Sequence, residues 1–272
     1  MNVPLTVTLQ GMSRLFYFVS WIAVPLLACG AADLPPAADI IARVMKRAEL
    51  VAQETPTNHY VYDKRTITGE MDENGAVTKS TEKLYKVELA GGLPLPRLVK
   101  ITGRDLTAKE LEKENEREAA FRQRVTQVDV KNKVKNKEAL ATPDLVKRFD
   151  FTVIKREWID GRPTLVATFK PRPASADASI EDRVYQKLFG TIWVDEREAE
   201  ITRIDAQLNE PVPVGWFGAI GSLNQFQGTV ERARLPDGVW VNRKTMFTVK
   251  ARKVFLAMHS KTIAESSGFR LE

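Results

Sequence analysis

With 272 residues, 43% of them hydrophobic and 28% charged, the chain has the length of one large β domain or two small ones and enough apolar side chains to fold around a core without staples. Its single cysteine, Cys29, excludes an intramolecular disulfide. The two histidines, His59 and His259, are far apart in the chain and outside any spaced His/Glu motif, so neither a metal site nor a cofactor is expected.

Residues 1–32 carry one charged side chain, Arg14, followed by the run Leu15 to Cys29, LFYFVSWIAVPLLAC. A positive residue before a short apolar stretch is the layout of a secretion signal. The run falls short of the roughly 20 residues that span a bilayer. Pro25 also interrupts its second half, so residues 1–29 are expected to be an export segment rather than a permanent span. Two endings fit. Leu26-Leu27-Ala28-Cys29-Gly30 resembles the lipobox of bacterial lipoproteins, in which the Cys29 thiol takes the lipid, whereas Gly30-Ala31-Ala32 offers an ordinary small-residue cleavage site. In both cases residues 33–272 are expected as one exported domain in the periplasm or at the outer membrane, lipid-anchored through Cys29 in the first. There the net charge of +6 favours anionic headgroups of a membrane surface over nucleic acid, although solubility is the plainer account of it.

Past Pro35-Pro36, the spacing of Ile40, Ile41, Val44, Met45, Ala48 and Val51 predicts one amphipathic helix to about Gln53. Tyr60 to Met71 and Ala76 to Leu89 predict two long strands joined at Asp72-Glu73-Asn74-Gly75, where Asn-Gly is a strong hairpin signal. Lys, Glu and Thr interleave with Val, Ile and Tyr in both, as in strands with one face in water. A short strand is expected over 98–102. At Thr107 the composition changes: Lys109 to Arg124 is dominated by Glu, Lys and Arg and is expected as an exposed helix, with alternating Lys131, Lys133, Lys135 and Lys137 extending a charged insertion over residues 107–142.

From Phe149 onward β character returns. Phe149 to Ile159 turns through Asp160-Gly161 into Thr164 to Lys170, and a short helix is expected near Ser179 to Phe189. Gly190 to Asp195 pairs with Ala199 to Leu208, Leu223 to Arg234 turns at Asp237-Gly238 into Val239 to Lys253, and Val254 to Ile263 closes the series. Nine or ten antiparallel strands with few helices predict a mainly β (α+β) fold: one curved antiparallel sheet, an unclosed half-barrel with a helical lid on its apolar face. A closed barrel is the alternative, since closure also hides sheet edges.

Catalytic patterns are scarce. Asp195-Glu196 and Glu198-Ala199-Glu200 pair carboxylates, but in an expected hairpin turn, where solvation explains them better than acid-base work. Gly215, Gly218 and Gly221 fit neither the dinucleotide nor the P-loop spacing and suit a mobile loop, EPVPVGWFGAIG. There is no G-x-S-x-G elbow. The chain is therefore expected not to be an enzyme. What remains is an aromatic surplus, with Trp193, Trp216, Phe217, Trp240 and Phe247 among its members, which either fills a core or lines an apolar concave surface.

Phe149-Asp150-Phe151, Ile159-Asp160-Gly161-Arg162-Pro163, Phe169-Lys170-Pro171-Arg172-Pro173, and above all Gly190-Thr191-Ile192-Trp193-Val194-Asp195 followed by Ile201-Thr202-Arg203-Ile204, resemble the LolA/LolB-like outer-membrane lipoprotein-sorting superfamily and its uncharacterised secreted bacterial members. The resemblance covers residues 149–263 directly and residues 36–105 by strand pattern. It implies a half-wrapped barrel under helices whose concave side binds lipid or lipoprotein acyl chains, with Trp193, Trp216, Phe217, Trp240 and Phe247 as lining residues. An alternative on the same fold is an envelope-sensor or protein-interaction module reading its partner through residues 107–142; a hydrolase built on His59 or His259 ranks last.

Overall fold

The computed structural model describes residues 34–54, 59–125, 143–173, 180–214, 221–253 and 256–272. Cys29 and the expected export segment, the lysines of 131–137, and Trp216 and Phe217 lie outside the described residues. The strands are β1 (Tyr60–Met71), β2 (Val77–Ala90), β3 (Leu93–Ile101), β4 (Arg104–Asp105), β5 (Phe149–Ile159), β6 (Arg162–Pro171), β7 (Leu188–Asp195), β8 (Ile201–Leu208), β9 (Val212–Val214), β10 (Gly221–Arg234), β11 (Trp240–Lys253) and β12 (Leu256–Leu271). The helices are α1 (Ala37–Glu54), α2 (Ala108–Arg124), α3 (Pro143–Lys147) and α4 (Ile180–Tyr185).

All strands join one antiparallel sheet in the order β4-β3-β2-β1-β12-β11-β10-β8-β7-β6-β5, with β9 added on β10. The last strand pairs with the first, Tyr60 opposite Leu271, which sews the N-terminal meander to the C-terminal one. The two end strands, β4 and β5, do not pair with each other, so the sheet is unclosed. It exceeds the nine or ten expected strands chiefly through β4 and β9, two and three residues long, too short to show a period.

Turn chemistry sets the hairpins. At Asp72-Glu73-Asn74-Gly75 the Asp72 carboxylate accepts the amides of Asn74 and Ala76, both at 2.9 Å, and Gly75 takes φ +84°. Asp160 and Gly161 both have positive φ, 49° and 71°, the geometry of a two-residue hairpin turn.

The main core lies between α1 and strands β5–β8. Ile40 and Val44 of α1 meet Phe149, Leu165, Ala167, Phe169, Ile192, Val194 and Ile201, all buried. A second, smaller core gathers Ala90, Leu93, Leu95 and Val125, with Phe121 against it.

Helix α2 differs from the exposed helix read from its charges. Its N-terminus carries a capping box, Thr107 and Glu110 bonding reciprocally, and one flank seals the β3 edge. The buried Glu114 accepts the Leu98 amide at 2.8 Å, and Arg117 donates to the Pro96 carbonyl. Glu114 pairs with Arg117 three residues on, and Glu110 turns back to Arg104, at 2.7 and 2.8 Å. A row of charges conceals this docking because the buried polar group satisfies sheet backbone rather than water.

Candidate ligand-binding face

Successive strand residues point to opposite faces, so the pairings define rows of side chains across the sheet. On the face that carries α1, the inner face, one row runs Ala167, Ile192, Ile204, Val230, Thr245, Ala264, Thr66, Lys83 from β6 to β2. The next runs Phe169, Gly190, Ala206, Gly228, Phe247, Thr262, Thr68, Thr81. Both rows change character at β11. They are apolar where α1 covers them and, Ala264 apart, hydroxyl- or lysine-bearing from β12 onward. The apolar surface left half-exposed is therefore a strip along β10 and β11, made of Phe226, Phe247, Val249 and Ala251. It is narrower than the aromatic surplus of the sequence suggests, because Phe149, Phe151 and Phe169 pack in the core with α1 while Trp193 and Trp240 bond to charged groups elsewhere.

Two glycines shape the inner face. Gly228 seats the strip's aromatic pair: the Phe226 and Phe247 rings lie 6.1 Å apart, inclined at 30°, and a Cβ on Gly228 would come within 2.9 Å of Phe226 and 3.1 Å of Phe247. Gly190 lets Phe169 lie across β7, since a Cβ there would stand 1.9 Å from the Asp205 carbonyl oxygen and 2.8 Å from the Phe169 ring.

One inner-face position from Phe247 along β11, at Thr245, a hollow of about 180 Å³ opens between strands β1, β11 and β12 and the start of β3. Its apolar wall is Tyr60, Tyr62 and Phe269; the Tyr62 and Phe269 rings stack at 4.7 Å and Tyr60 meets Phe269 edge-on at 6.4 Å. Its polar wall is Lys64, Asn242, Thr245 and Ser266. Lys64 is half-buried, and among the described residues no carboxylate lies within ion-pair distance of it. Lys244, also at the hollow, is 3.4 Å from Glu265.

The outer face is organised differently. A row of alternating charge crosses six strands, Arg203, Glu231, Lys244, Glu265, Arg65 and Glu82, with neighbouring pairs at 3.8 Å for Arg203–Glu231, 3.4 Å for Lys244–Glu265, 3.6 Å for Glu265–Arg65 and 2.5 Å for Arg65–Glu82. Trp193 belongs to this face. Its neighbours Ile192 and Val194 point into the core, while its own ring lies 4.9 Å below the Arg203 guanidinium and its indole N–H reaches Glu157 at 3.3 Å.

The paired carboxylates of the β7–β8 turn are not solvated, as their place in a hairpin suggested. Asp195 is fully buried and takes a two-pronged bond from Arg162 at 2.5 and 2.9 Å. Glu198 accepts Arg234 at 2.8 Å and the Trp240 indole at 2.7 Å, with Arg162 at 3.0 Å. Glu200 joins Arg47 of α1, at 2.9 Å, to Arg232 of β10, at 2.6 Å. Glu196 binds Arg156 through both oxygens at 2.8 Å, while its carbonyl accepts Arg43 of α1 at 2.5 Å. Burial pushes the Asp195 and Glu198 carboxyls up; hydrogen bonds from Arg162 and the Glu198 and Arg197 amides on Asp195, and from Trp240 and Arg234 on Glu198, outweigh it and hold both below the usual range. Each carboxylate is occupied by an arginine, so this turn is a structural knot that pins α1 to the sheet. Trp240 is buried within it, its ring 5.9 Å from Arg162.

Of the expected lining residues, the structure thus places Phe247 on the inner strip, Trp240 in the knot at the start of β11 and Trp193 on the opposite face. Gly228 and the hollow were missed, and Phe226 belongs to the aromatic surplus but not to the expected lining residues. Phe226 carries a signal in sequence, being separated from Gly228 by one residue and so on the same face of a strand. Among the described residues no helix is long and apolar enough to cross a membrane, and no three His, Cys, Asp or Glu side chains gather as metal ligands.

No protein-family model and no curated protein matches the chain. Solved structures do resemble it. One is a DUF1329 family protein from Desulfovibrio piger, 10% identical over 85% of this chain and 93% of that one, with a TM-score of 0.31. A LolA superfamily protein from Nitrosomonas europaea is another, 11% identical over 85% and 93% of the two chains, TM-score 0.29. The Pseudomonas aeruginosa MucA/MucB complex provides a third, 9% identical over 86% and 98%, TM-score 0.25. Scores this low establish no shared function or site, which must come from this chain's own residues.

Proposed function

We propose that this chain is an exported, non-enzymatic envelope protein that binds the acyl chain of a lipid or lipoprotein along the β10–β11 strip of its inner face. The half-exposed aromatic pair Phe226 and Phe247 on Gly228, continued by Val249 and Ala251, carries the reading. An apolar strip left between a helix-covered core and a hydroxyl-bearing half-sheet is a surface in want of an apolar occupant. From Phe247 to Ala251 the strip runs ~13 Å at ~3.3 Å per residue, long enough for part of an extended acyl chain. Trp216 and Phe217 belong to the proposal as sequence neighbours of β10, and the export segment, with or without acylation of Cys29, supplies a compartment where such a chain is met. No lining role is proposed for Trp193.

Native mass spectrometry of gently purified protein tests the reading. Co-purifying lipid, or binding of added fatty acid that is lost in Phe247→Asp while the melting temperature of the apo protein is kept, is the expected result; absence of both defeats it.

A protein-interaction module remains the second reading, favoured by one observation. The terminal strand β5 presents Ile154 and Trp158, 48% and 69% exposed, next to an edge that no strand pairs with among the described residues. Ile154→Lys with Trp158→Lys separates the two readings: a partner module loses function with lipid binding intact. Deleting the charged insertion serves this purpose only over residues 126–142, since α2 seals β3.

A further inference from the structure

The hollow beside the strip has a chemistry of its own. Its aromatic wall, Tyr60, Tyr62 and Phe269, faces a wall of donors, the Lys64 ammonium, the Asn242 amide and the Thr245 and Ser266 hydroxyls, and no Asp or Glu lines it. A half-buried lysine without a carboxylate partner among the described residues is a charge left to be met by something else. The outer-face row shows the contrast, since its cations alternate with Glu231, Glu265 and Glu82. Thr245 belongs to both features, lining the hollow and standing in β11 one inner position from Phe247.

Resting on the acyl-chain reading, we propose that this hollow is the head subsite of the same ligand: it takes the anionic head, phosphate or carboxylate, of a single-chain amphiphile whose tail lies over Phe247 and Phe226. The ammonium of Lys64 supplies the charge-assisted bond, and the Asn242, Thr245 and Ser266 groups supply neutral donors that orient the head. Selectivity then falls on head charge, while the strip is tolerant of tail chemistry.

Isothermal titration of the full-length protein with dodecanoate, dodecyl phosphate, dodecanol and inorganic phosphate tests this, using wild type, Lys64→Gln, Lys64→Arg and Phe247→Ser, each first checked for an unchanged far-UV spectrum and melting temperature. The expected result is that the two anionic amphiphiles bind about tenfold or more tighter than dodecanol, that Lys64→Gln abolishes this difference, that Lys64→Arg retains it, and that Phe247→Ser weakens all three amphiphiles alike. Equal binding of dodecanol and dodecanoate, unaffected by Lys64→Gln, overturns the head subsite and leaves the acyl-chain reading standing. Inorganic phosphate binding as tightly as dodecyl phosphate, with Phe247→Ser without effect, overturns the link to an acyl chain. No binding of any probe overturns both.

Discussion

The residues that decide this fold are glycines and arginines. Gly190 occupies a point where β7 must pass under Phe169 and beside the Asp205 carbonyl, so any side chain there forces apart two paired strands. Gly190→Ala is expected to destabilise by about 1–3 kcal/mol or more, the scale of overpacking in a filled core, read as a lower midpoint in urea. Arg162 neutralises a fully buried carboxylate. Arg162→Ala leaves Asp195 buried and unpaired and is expected to cost about 3–5 kcal/mol. The pH dependence follows from the sign of the shift. The Asp195 and Glu198 carboxyls are depressed in the folded state, so their contribution is fully present above their ordinary values near 4 and is lost as pH falls through the lower folded values. Wild type should therefore lose stability below about pH 4 more steeply than Arg162→Ala, in thermal melts taken from pH 6 to pH 2.

At the scale of elements, α2 and α1 have separate duties. Helix α2 covers the outer edge of β3 through Glu114 and Arg117. Glu114→Ala strips the Leu98 amide of its acceptor and is expected to cost about 1–3 kcal/mol, with growth of light scattering at high concentration as the edge opens. Its charge content was plain in the sequence, and so was its helical extent, Lys109 to Arg124 expected against Ala108–Arg124 found. Its docking was not, because a glutamate that accepts a sheet amide looks in sequence like any solvated glutamate. Strand β12 shows the converse limit: it runs to Leu271, eight residues beyond the expected end at Ile263, because Glu265 to Gly268 carries no apolar period and is held as a strand by pairing with β1, the β11 pairing ending at Glu265.

Across the whole molecule, packing is unequal. The β5–β8 half shares a buried core with α1, whereas the inner face from β12 to β2 bears mostly threonine, serine and lysine outside the aromatic wall of the hollow. Amide hydrogen exchange is expected to be slowest in β6 and β7 and markedly faster in β1, β2 and β12, since fewer buried apolar contacts resist local opening there. Uniform protection across the sheet would contradict this division. Ile40→Ala, which empties a site between α1 and the sheet, is expected to cost about 2–5 kcal/mol and to leave the Phe226–Phe247 strip in place.

Local chemistry alone determined much of this architecture. Asn74-Gly75, Asp160-Gly161 and Asp237-Gly238 mark their turns, alternation marks the long strands, and the 3.6-residue spacing of Ile40, Val44 and their neighbours marks α1, because each of these signals acts within a few residues of itself. The single antiparallel sheet follows from their sum, while that its end strands stay unpaired is decided by the tertiary structure. Only the tertiary structure decided which face each aromatic takes and what meets each charge: Trp193 on the outer face, Trp240 in the arginine knot, Asp195 buried rather than in a solvated turn, and the hollow beside Thr245. Those outcomes rest on register between strands far apart in sequence, where a single bulge, such as those at Thr202 and Arg243, changes the side on which every later residue falls.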